Sequence, residues 1–347
     1  MLDVIQVALN TTDMAGSLQL HSKVFGFANG GGQGLWGPPI LVQGLPVDSR
    51  ATMWWLVGHR PWFQFEFFQH TRPAQRPLRA DWSGADLGWV RCGIAVADFD
   101  ASLSALSQCG VNLCGAVVVA RGLRRAALRD PYAGQIIEIF EDGPGLPWQS
   151  GATRPGAALV YATSSVSDLS AARHYYEQVI GLDIGPLEQL HGPEHEAMWG
   201  LAGAARTGFI ARAGGVGIEV IEYQTPRGRP RPSDYRTSDQ GMVNIALGSR
   251  SIAEIERLFL RLELAGYHSP HVTRVDGLIG GYINDPQSRA RVPRHGRKHG
   301  SSNRLRACNA VPVRSLRRIW QLQAARSDLT LAVSGSKSRQ TMDVPCG

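Results

Sequence analysis

The sequence predicts an α+β protein of four βαβββ modules that pair into two half-barrel domains, with the final strand of the last module missing. A short apolar strand, a helix-opening Asp or Ser and a helix that ends near glycine recur four times in residues 1–287. In three of these units a later strand carries a glutamate among apolar residues. One helix with several strands per unit, repeated in the same order, favours paired half-barrels over a doubly wound parallel sheet.

The beginning and end of each helix have a physical reason. The predicted first strands are residues 4–9, 90–96, 159–163 and 242–247, and the residues that open the helices after them are Asp13, Asp98, Asp168 and Ser251. An acid or serine at this position accepts hydrogen bonds from the free N–H groups of the first helical turn. The helices are expected to end at Gly26, Gly110, Gly181 and Gly266, because glycine readily adopts the left-handed turn that follows a helix.

The strands that close the first three units each contain one acidic residue. These residues are Glu66, Glu138 and Glu219. A carboxylate inside an apolar strand is costly to bury unless it is ion-paired, hydrogen-bonded or bound to a metal. We therefore expect all three to have specific partners.

Several short motifs resemble those of the vicinal oxygen chelate superfamily, which includes glyoxalases, bleomycin-resistance proteins and extradiol dioxygenases. The motifs are Asp130-Pro131-x-x-Gly134 followed by Glu138, the helix endings Val24-Phe25-Gly26-Phe27 and Val179-Ile180-Gly181-Leu182, the aromatic pair Tyr175-Tyr176, and Asp285-Pro286, which begins a second Asp-Pro turn. The resemblance covers most of residues 1–287. Each motif is short, so the recurrence of the units in one order carries most of the weight.

The resemblance implies that paired modules close a cupped sheet around one divalent metal, with ligands from the first and last strands of each module. The first-strand positions are Gln6, Arg91, Tyr161 and Asn244, and the last-strand positions are Glu66, Glu138, Glu219 and, in the fourth module, Pro293. None is a histidine. The metal positions therefore look degraded.

Pairing of consecutive modules would bring Gln6, Glu66, Glu138 and Arg91 into one pocket. The first three offer oxygen ligands for one divalent ion, such as Mn, Fe, Mg or Zn. Arg91 cannot coordinate a metal. We favour an ion pair of Arg91 with Glu138, Glu66 or both in place of the metal, and leave metal binding open as the alternative. The second pocket would contain Tyr161, Glu219 and Asn244, a poorer ligand set for which no metal is expected.

Two further groups of residues have a functional and a structural interpretation. His191 and His195 have a ligand-like spacing, but the glycine and proline between them predict a loop, and metal binding is the minority interpretation. Six of the nine tryptophans lie in the first module and its connection. They either pack the core or form an aromatic wall for a ligand, in which case Trp54 and Trp55 are the candidates for substrate binding.

The predicted domain boundaries follow changes in composition. The first domain is residues 1–142, with modules 1–76 and 86–142; residues 143–156 are a linker; the second domain is residues 157–287, with modules 157–225 and 239–287. Residues 288–347 hold 13 Lys and Arg against two acids, a net of +11, which leaves −4 for the rest of the chain. We interpret this stretch as a disordered basic tail, produced by a reading-frame change or natural in origin.

The expected partner is a small molecule. No apolar run approaches the roughly 18 residues of a membrane span, and no secretory signal is present, so the chain is predicted to be cytoplasmic. The five cysteines form no CxxC pair, which fits reduced thiols. The tail has neither zinc-finger spacing nor a recognition helix, so no nucleic-acid partner is expected. The half-barrels close within one chain or across a homodimer.

The resemblance implies an enzyme of lyase, isomerase or dioxygenase type that acts on an oxygenated, aromatic or non-aromatic, organic compound. Glu138 or Glu66 would carry protons, and Gln6 would be a ligand or a hydrogen-bond donor. The absence of histidine at the ligand positions argues against an iron extradiol dioxygenase. The alternative is a metal-free binding or sequestering protein of the bleomycin-resistance type.

Overall fold

The computed structural model describes residues 1–148, 152–269, 272–275 and 278–283. The predicted basic tail, residues 288–347, and Pro293 at the fourth last-strand position lie outside the described residues, as do residues 149–151 of the predicted linker. Among the described residues no helix has the length and apolar character needed to cross a membrane.

The first two modules have the predicted order of strand, helix and three strands. Module 1 consists of β1 (Asp3–Asn10), α1 (Met14–Lys23), β2 (Ala28–Trp36), β3 (Arg50–Val57) and β4 (Gln64–Arg72), with a 3-10 helix at Pro38–Gln43. Module 2 consists of β5 (Gly88–Val96), α2 (Phe99–Gln108), β6 (Val118–Ala120), β7 (Leu123–Arg129) and β8 (Ile136–Glu141).

The third module repeats this order, and the fourth follows it as far as the structure describes the chain. Module 3 consists of β9 (Ala158–Ser165), α3 (Leu169–Arg173) continued by a π-helix (His174–Ile180), β10 (Asp183–Gly185), 3-10 helices at Leu187–Gln189 and Pro193–Trp199, β11 (Ala205–Ala213) and β12 (Val216–Thr225). Module 4 consists of β13 (Gly241–Gly248), α4 (Ile252–Leu264), β14 (Val272–Val275) and β15 (Leu278–Gly281). The predicted α+β class and its repeated modules are confirmed.

The predicted helix boundaries have the expected geometry. The side chains of Asp13, Asp98, Asp168 and Ser251 accept hydrogen bonds from the backbone N–H groups of Gly16, Ala101, Ala171 and Glu254. The glycines after the helices, Gly26, Gly110, Gly181 and Gly266, have φ values of 78°, 68°, 82° and 80°. A β-carbon at such φ values would be strained, which explains the choice of glycine.

The strand order differs from the expected pairing of consecutive modules. One sheet has five strands in the order β13-β1-β4-β3-β2, and the other has eight in the order β10-β11-β12-β9-β5-β8-β7-β6. The first strands of modules 2 and 3 pair antiparallel from Gly88 opposite Ser165 to Ala95 opposite Ala158. The first strands of modules 1 and 4 pair in the same way. Module 2 therefore joins module 3 and module 1 joins module 4, within one chain.

One apolar core spans the helix-facing sides of both sheets. Its members include Val7 and Phe65 from the five-stranded sheet and Ile94, Ile139 and Val220 from the eight-stranded sheet, each at most 1% exposed. The opposite face of the eight-stranded sheet is covered by residues 187–201, which we call the plug. Leu187, Leu190 and Leu201 of the plug pack there with Tyr161 and Phe140. The plug thus fills the face on which the resemblance places a metal site.

Ion pairs join two linkers, one that connects module 1 to module 2 and one that connects module 3 to module 4. The ion pairs are Arg76 with Asp234 and Asp239, at 2.5 and 2.6 Å, and Arg229 with Asp81 and Asp86, at 2.5 and 2.8 Å. In each linker an arginine is followed by aspartates five and ten positions later, as in Arg76, Asp81 and Asp86. We call this reciprocal arrangement the linker clasp.

Candidate functional site

Four of the ligand-like positions converge on the face of the eight-stranded sheet that the plug covers. The Arg91 Nη2 atom donates to Glu219 Oε2 over 2.7 Å, and the Tyr161 hydroxyl donates to Glu138 Oε2 over 2.6 Å. All four side chains are fully buried. Each contact joins module 2 to module 3. The predicted partners of Arg91 were therefore wrong: its ion pair is with Glu219, because β5 pairs with β9 rather than with a strand of module 1.

The partner of Glu138 is a second arginine that comes from the neighbouring strand β7. Arg125 Nε donates to Glu138 Oε1 over 2.6 Å. Its Nη1 atom lies 3.0 Å from the Leu190 carbonyl oxygen and 2.9 Å from His195 Nε2. Burial lowers the pKa of His195 to about 4, and the positive charges of Arg125 and His191 lower it as well. His195 is therefore neutral and its Nε2 atom accepts the hydrogen bond from Arg125.

His191 lies between the two carboxylates. Its Nδ1 atom is 2.7 Å from Glu219 Oε1, and its Nε2 atom is 3.1 Å from Glu138 Oε2. Ionised carboxylates only accept hydrogen bonds, so each ring nitrogen of His191 faces an acceptor. The plug thus places the His191 ring between the carboxylates, where the resemblance implies a metal. The charges of Arg91 and Arg125 balance those of Glu219 and Glu138.

The surroundings keep both carboxyls ionised. Burial alone would raise the pKa of Glu138, but the charges of Arg125 and His191 and the hydrogen bonds from His191 and Tyr161 lower it to about 2. Burial acts in the same direction on Glu219, whereas the charges of His191 and Arg91 hold its pKa well below the usual range. A carboxylate with such a low pKa and four donors around it is poorly suited to carry protons near neutral pH.

Trp199 of the plug completes this group, which we call the ionic network: Arg91, Arg125, Glu138, Tyr161, His191, Trp199 and Glu219. The Arg91 guanidinium carbon lies 3.4 Å from the centroid of the Trp199 ring, a cation–π contact. The indole Nε1 of Trp199 is 3.3 Å from Glu138 Oε2. The ionic network therefore contacts the plug at one face and at the Nε1 edge of the Trp199 ring.

Substitution of Tyr161 by phenylalanine tests how much the hydrogen bond from its hydroxyl to Glu138 contributes to stability. Tyr161→Phe is expected to lower the free energy of unfolding by about 1.5–3 kcal/mol, because Glu138 loses a hydrogen bond to its charged form in a dry interior. Urea unfolding followed by circular dichroism checks the value. The control is Tyr132→Phe, a half-buried tyrosine outside the ionic network, and equal effects of the two changes would contradict the assignment.

The ionic network does not fit a divalent metal. The guanidinium of Arg91 cannot coordinate, and the carboxylate oxygens of Glu138 and Glu219 already accept hydrogen bonds from Arg91, Arg125, His191 and Tyr161. Over the part of the chain that the structure describes, no three His, Cys, Asp or Glu side chains are grouped so that they could hold a metal ion.

The remaining glutamate lies on the five-stranded sheet, separate from Glu138. Gln6 Nε2 donates to Glu66 Oε2 over 2.7 Å, and Trp55 Nε1 donates to Glu66 Oε1 over 3.0 Å. Gln64 Nε2 in turn donates to Gln6 Oε1 over 2.8 Å, which fixes the orientation of the Gln6 amide. Glu66 is 7% exposed and has these neutral partners in place of an arginine.

This environment gives Glu66 a different acidity from the other two glutamates. Burial raises the pKa of Glu66 to about 7, although the hydrogen bonds from Trp55 and Gln6 act to lower it. Tyr282, just after β15, lies within range of the Glu66 charge. The Tyr282 side chain is 36% exposed, and the charge of Glu66 acts to raise the pKa of its phenol. Near neutral pH Glu66 can therefore accept or release a proton, while Tyr282 keeps its own.

Three other residues of this sheet were predicted to belong to a site, and not all of them lie beside Glu66. Asn244 on β13 and Glu66 on β4 are both opposite Ala8 of β1, so the three form a row on neighbouring strands. Trp55 is opposite Glu66 and 3% exposed. Trp54 points to the other face, and its indole Nε1 donates to Asn29 Oδ1 over 2.8 Å. Among the described residues this row provides one carboxylate, a set that does not fit a divalent ion.

The partners that the plug and β7 supply to the glutamates were not predicted from the sequence. His191 and His195 were identified as a loop pair, but their contact with Glu138, Glu219 and Arg125 could not be derived from spacing. Arg125 stands beside Arg124 in the sequence. Arg124 pairs with Glu141 and Asp100 nearer the surface, at 2.9 and 2.6 Å. Adjacent residues of a strand point to opposite faces. This alternation along β7 is the one sequence signal that distinguishes the buried Arg125 from the more exposed Arg124.

Solved structures with a similar architecture share little sequence with this chain. A provisionally named dioxygenase from Bacillus subtilis superposes with a TM-score of 0.53 over 82% of this chain and 85% of that chain, at 12% identity. A single-residue mutant of glyoxalase I from Zea mays superposes with a TM-score of 0.51 over 83% of this chain and 90% of that chain, at 13% identity. No protein-family model matches the sequence, and no curated protein does. The chain therefore shares its fold with these dioxygenase and glyoxalase structures, the fold that the sequence motifs predicted.

Proposed function

We propose that the chain is an isomerase- or lyase-type enzyme that moves a proton on an oxygenated small organic compound, with Glu66 as the proton carrier. The observation that carries this proposal is the buried Glu66 carboxyl, with a pKa of about 7 and a fixed orientation between Gln6 and Trp55. A general base or acid is most effective when its pKa lies near the working pH. Glu138 and Glu219 lack this property because cations neutralise both.

The chemistry that fits Glu66 is removal of a proton from a carbon next to a carbonyl group. The C–H bond breaks, its electron pair moves toward the carbonyl oxygen as an enolate, and the proton passes to Glu66. Return of the proton to a neighbouring atom gives the isomer. A hydrogen-bond donor placed near Glu66 would stabilise the enolate oxygen, and we propose Tyr282, which lies within range of the Glu66 charge, for this role. No step of this scheme requires a metal.

Two similar folds that carry enzyme names support an enzyme without deciding the reaction. Of the three predicted reaction types, lyase, isomerase and dioxygenase, the dioxygenase reaction is the least favoured. Gln6, Glu66 and Asn244 offer a single carboxylate and no histidine to hold an iron. Assignment to a lyase or an isomerase depends on the substrate, which we propose to be a hydroxyketone or a related carbonyl compound.

Hydrogen–deuterium exchange tests the proposed proton transfer before the natural substrate is known. The full chain is treated with a chelator and incubated in deuterium oxide with hydroxyacetone, dihydroxyacetone and an aryl hydroxyketone, and exchange of the hydrogens next to the carbonyl is followed by NMR. We expect enzyme-dependent exchange with at least one compound, rising with pH through about 7 as Glu66 ionises. Exchange that appears only after addition of a divalent metal would contradict the metal-free scheme.

The alternative function is metal-free binding and sequestration of a small organic molecule. The ionic network favours sequestration, because four ligand-like positions already bind one another there. Among the described residues, this group leaves no set of ligands available for a catalytic metal. Saturable binding of the aryl hydroxyketone without any exchange of its hydrogens would support sequestration over catalysis.

A further inference from the structure

The linker clasp encloses a cavity that is separate from both the Glu66 site and the ionic network. Its volume is about 210 Å³, and its lining comes from the two linkers, from the start of β5 and β13, and from Gln135. No residue of the ionic network, and neither Gln6 nor Glu66, contributes to this lining. Since drug-sized pockets begin at about 300 Å³, the cavity suits a single ring with small substituents.

Aromatic side chains form much of the cavity wall. Trp82 and Trp89 come from the first linker and β5, and Tyr235 comes from the second linker. Leu78 and Met242 add apolar surface between them. Aromatic walls of this kind favour a planar ring, which can stack on one ring and meet the edge of another.

A buried amide provides one polar anchor. Gln135 is 1% exposed, and its Nε2 atom donates to Asp130 Oδ2 over 3.3 Å. No donor within the described ranges reaches the Gln135 Oε1 atom. A buried acceptor is rarely left without a donor in a folded protein, so this atom indicates a ligand that carries an O–H or N–H group.

An arginine provides the second anchor. Of the four cavity arginines, Arg76, Arg79 and Arg229 each pair with aspartates, whereas Arg231 has no carboxylate partner in the described part of the chain. Its guanidinium carbon lies 4.3 Å from the Tyr235 ring centroid. The guanidinium also lies over Gly88, where a β-carbon would come within 2.8 Å of Arg231 Nη2. Arg231 is thus held beside the aromatic wall with its charge available to an anion.

We propose that this cavity binds a planar aromatic carboxylate with a ring hydroxyl or N–H group. The ring lies between Trp82, Trp89 and Tyr235, the carboxylate pairs with Arg231, and the ring donor bonds to Gln135 Oε1. The site is independent of the proton transfer proposed for Glu66, and its occupant would connect the two linkers that join the modules.

The probe for this site is para-hydroxybenzoate, and the measurement is isothermal titration calorimetry on the full chain. We expect one-to-one binding with a dissociation constant on the order of 100 µM, as for a well-fitted ligand of its size. Arg231→Gln is expected to weaken binding about tenfold through loss of the charged donor. Arg227→Gln, an exposed arginine of the same linker outside the cavity lining, serves as the matched control and should leave the affinity unchanged.

A change in the ligand tests the Gln135 contact without a change in the protein. Benzoate lacks the ring hydroxyl and is expected to bind about tenfold more weakly than para-hydroxybenzoate. In Gln135→Leu the two compounds should bind equally. Absence of saturable binding, or equal binding to the protein with Arg231 and to Arg231→Gln, overturns the proposal. Loss of binding in Glu66→Gln would place the ligand in the half-barrel and would also overturn the proposal. Unchanged binding in that variant separates this site from the Glu66 site.

Discussion

Glu138→Gln is expected to lower the free energy of unfolding by about 3–5 kcal/mol, the usual effect of removing one partner of a buried ion pair. The substitution keeps the shape of the side chain but removes the charge that Arg125 and His191 neutralise. It also replaces one acceptor oxygen with an NH₂ group, which then faces donors such as Tyr161 or Trp199. Chemical denaturation of the full chain gives the value.

The matched control is Glu141→Gln, three residues farther along the same strand. Glu141 also pairs with an arginine, Arg124, but both side chains of that pair are about one-third exposed. Its loss should lower the stability far less than loss of the Glu138 charge, because exposed pairs are weak. Comparable losses for Glu138→Gln and Glu141→Gln would show that the ionic network does not hold the plug on the sheet.

The pH dependence of stability provides a further check on Glu138. Its pKa of about 2 in the folded protein lies below its ordinary value. The ionised form therefore stabilises the fold fully above the unfolded pKa, and this contribution is lost as pH falls through the acid range toward the folded pKa. The difference in stability between the unsubstituted protein and Glu138→Gln should shrink accordingly below about pH 4.5.

Glu66→Gln is expected to reduce the exchange of hydrogens next to a carbonyl by about 10²- to 10⁴-fold, the range found for removal of a general base. The amide keeps the volume of the carboxyl but cannot accept a proton. The control is Glu177→Gln, a half-buried glutamate on the π-helix of module 3, which should exchange at the unsubstituted rate. Equal exchange by Glu66→Gln and the unsubstituted protein would exclude Glu66 as the carrier.

The same variant gives a second result that needs no substrate. The pKa of Glu66 is raised to about 7 in the folded protein, so ionisation of this group destabilises the fold as pH rises from the unfolded pKa to the folded one. A shift from about 4.5 to about 7 corresponds to roughly 3 kcal/mol. Relative to Glu66→Gln, the unsubstituted protein should lose about this much stability between pH 4.5 and 8.

Local chemistry made the modules and their helix ends predictable from the sequence. The N-cap residues Asp13, Asp98, Asp168 and Ser251 and the glycines after each helix act through contacts a few residues away, so their pattern is visible in the chain. The glutamates of β4, β8 and β12 were recognisable for a similar reason, because a charge within an apolar strand requires a partner.

The pairing of the modules could not be predicted in this way. All four first strands are apolar and similar, and the choice of β9 rather than β1 as the neighbour of β5 depends on long-range packing. Because consecutive modules were expected to pair, Glu66 was predicted to share a pocket with Glu138, and Arg91 was predicted to pair with one or both of these glutamates. The linkers did contain a usable signal, since the spacing of Arg76, Asp81 and Asp86 recurs 153 positions later at Arg229, Asp234 and Asp239.

The two half-barrels differ in one physical property, the ionisation of their buried glutamates. Carbon NMR of protein labelled at the glutamate side-chain carboxyls measures that property directly, and Glu66→Gln assigns the decisive signal. We expect one buried carboxyl signal that titrates with a pKa of about 7 and disappears in the variant, while Glu138 stays ionised well into the acid range. A Glu66 signal that titrates near its ordinary value, or a Glu138 signal that titrates near neutral pH, would contradict this difference between the half-barrels.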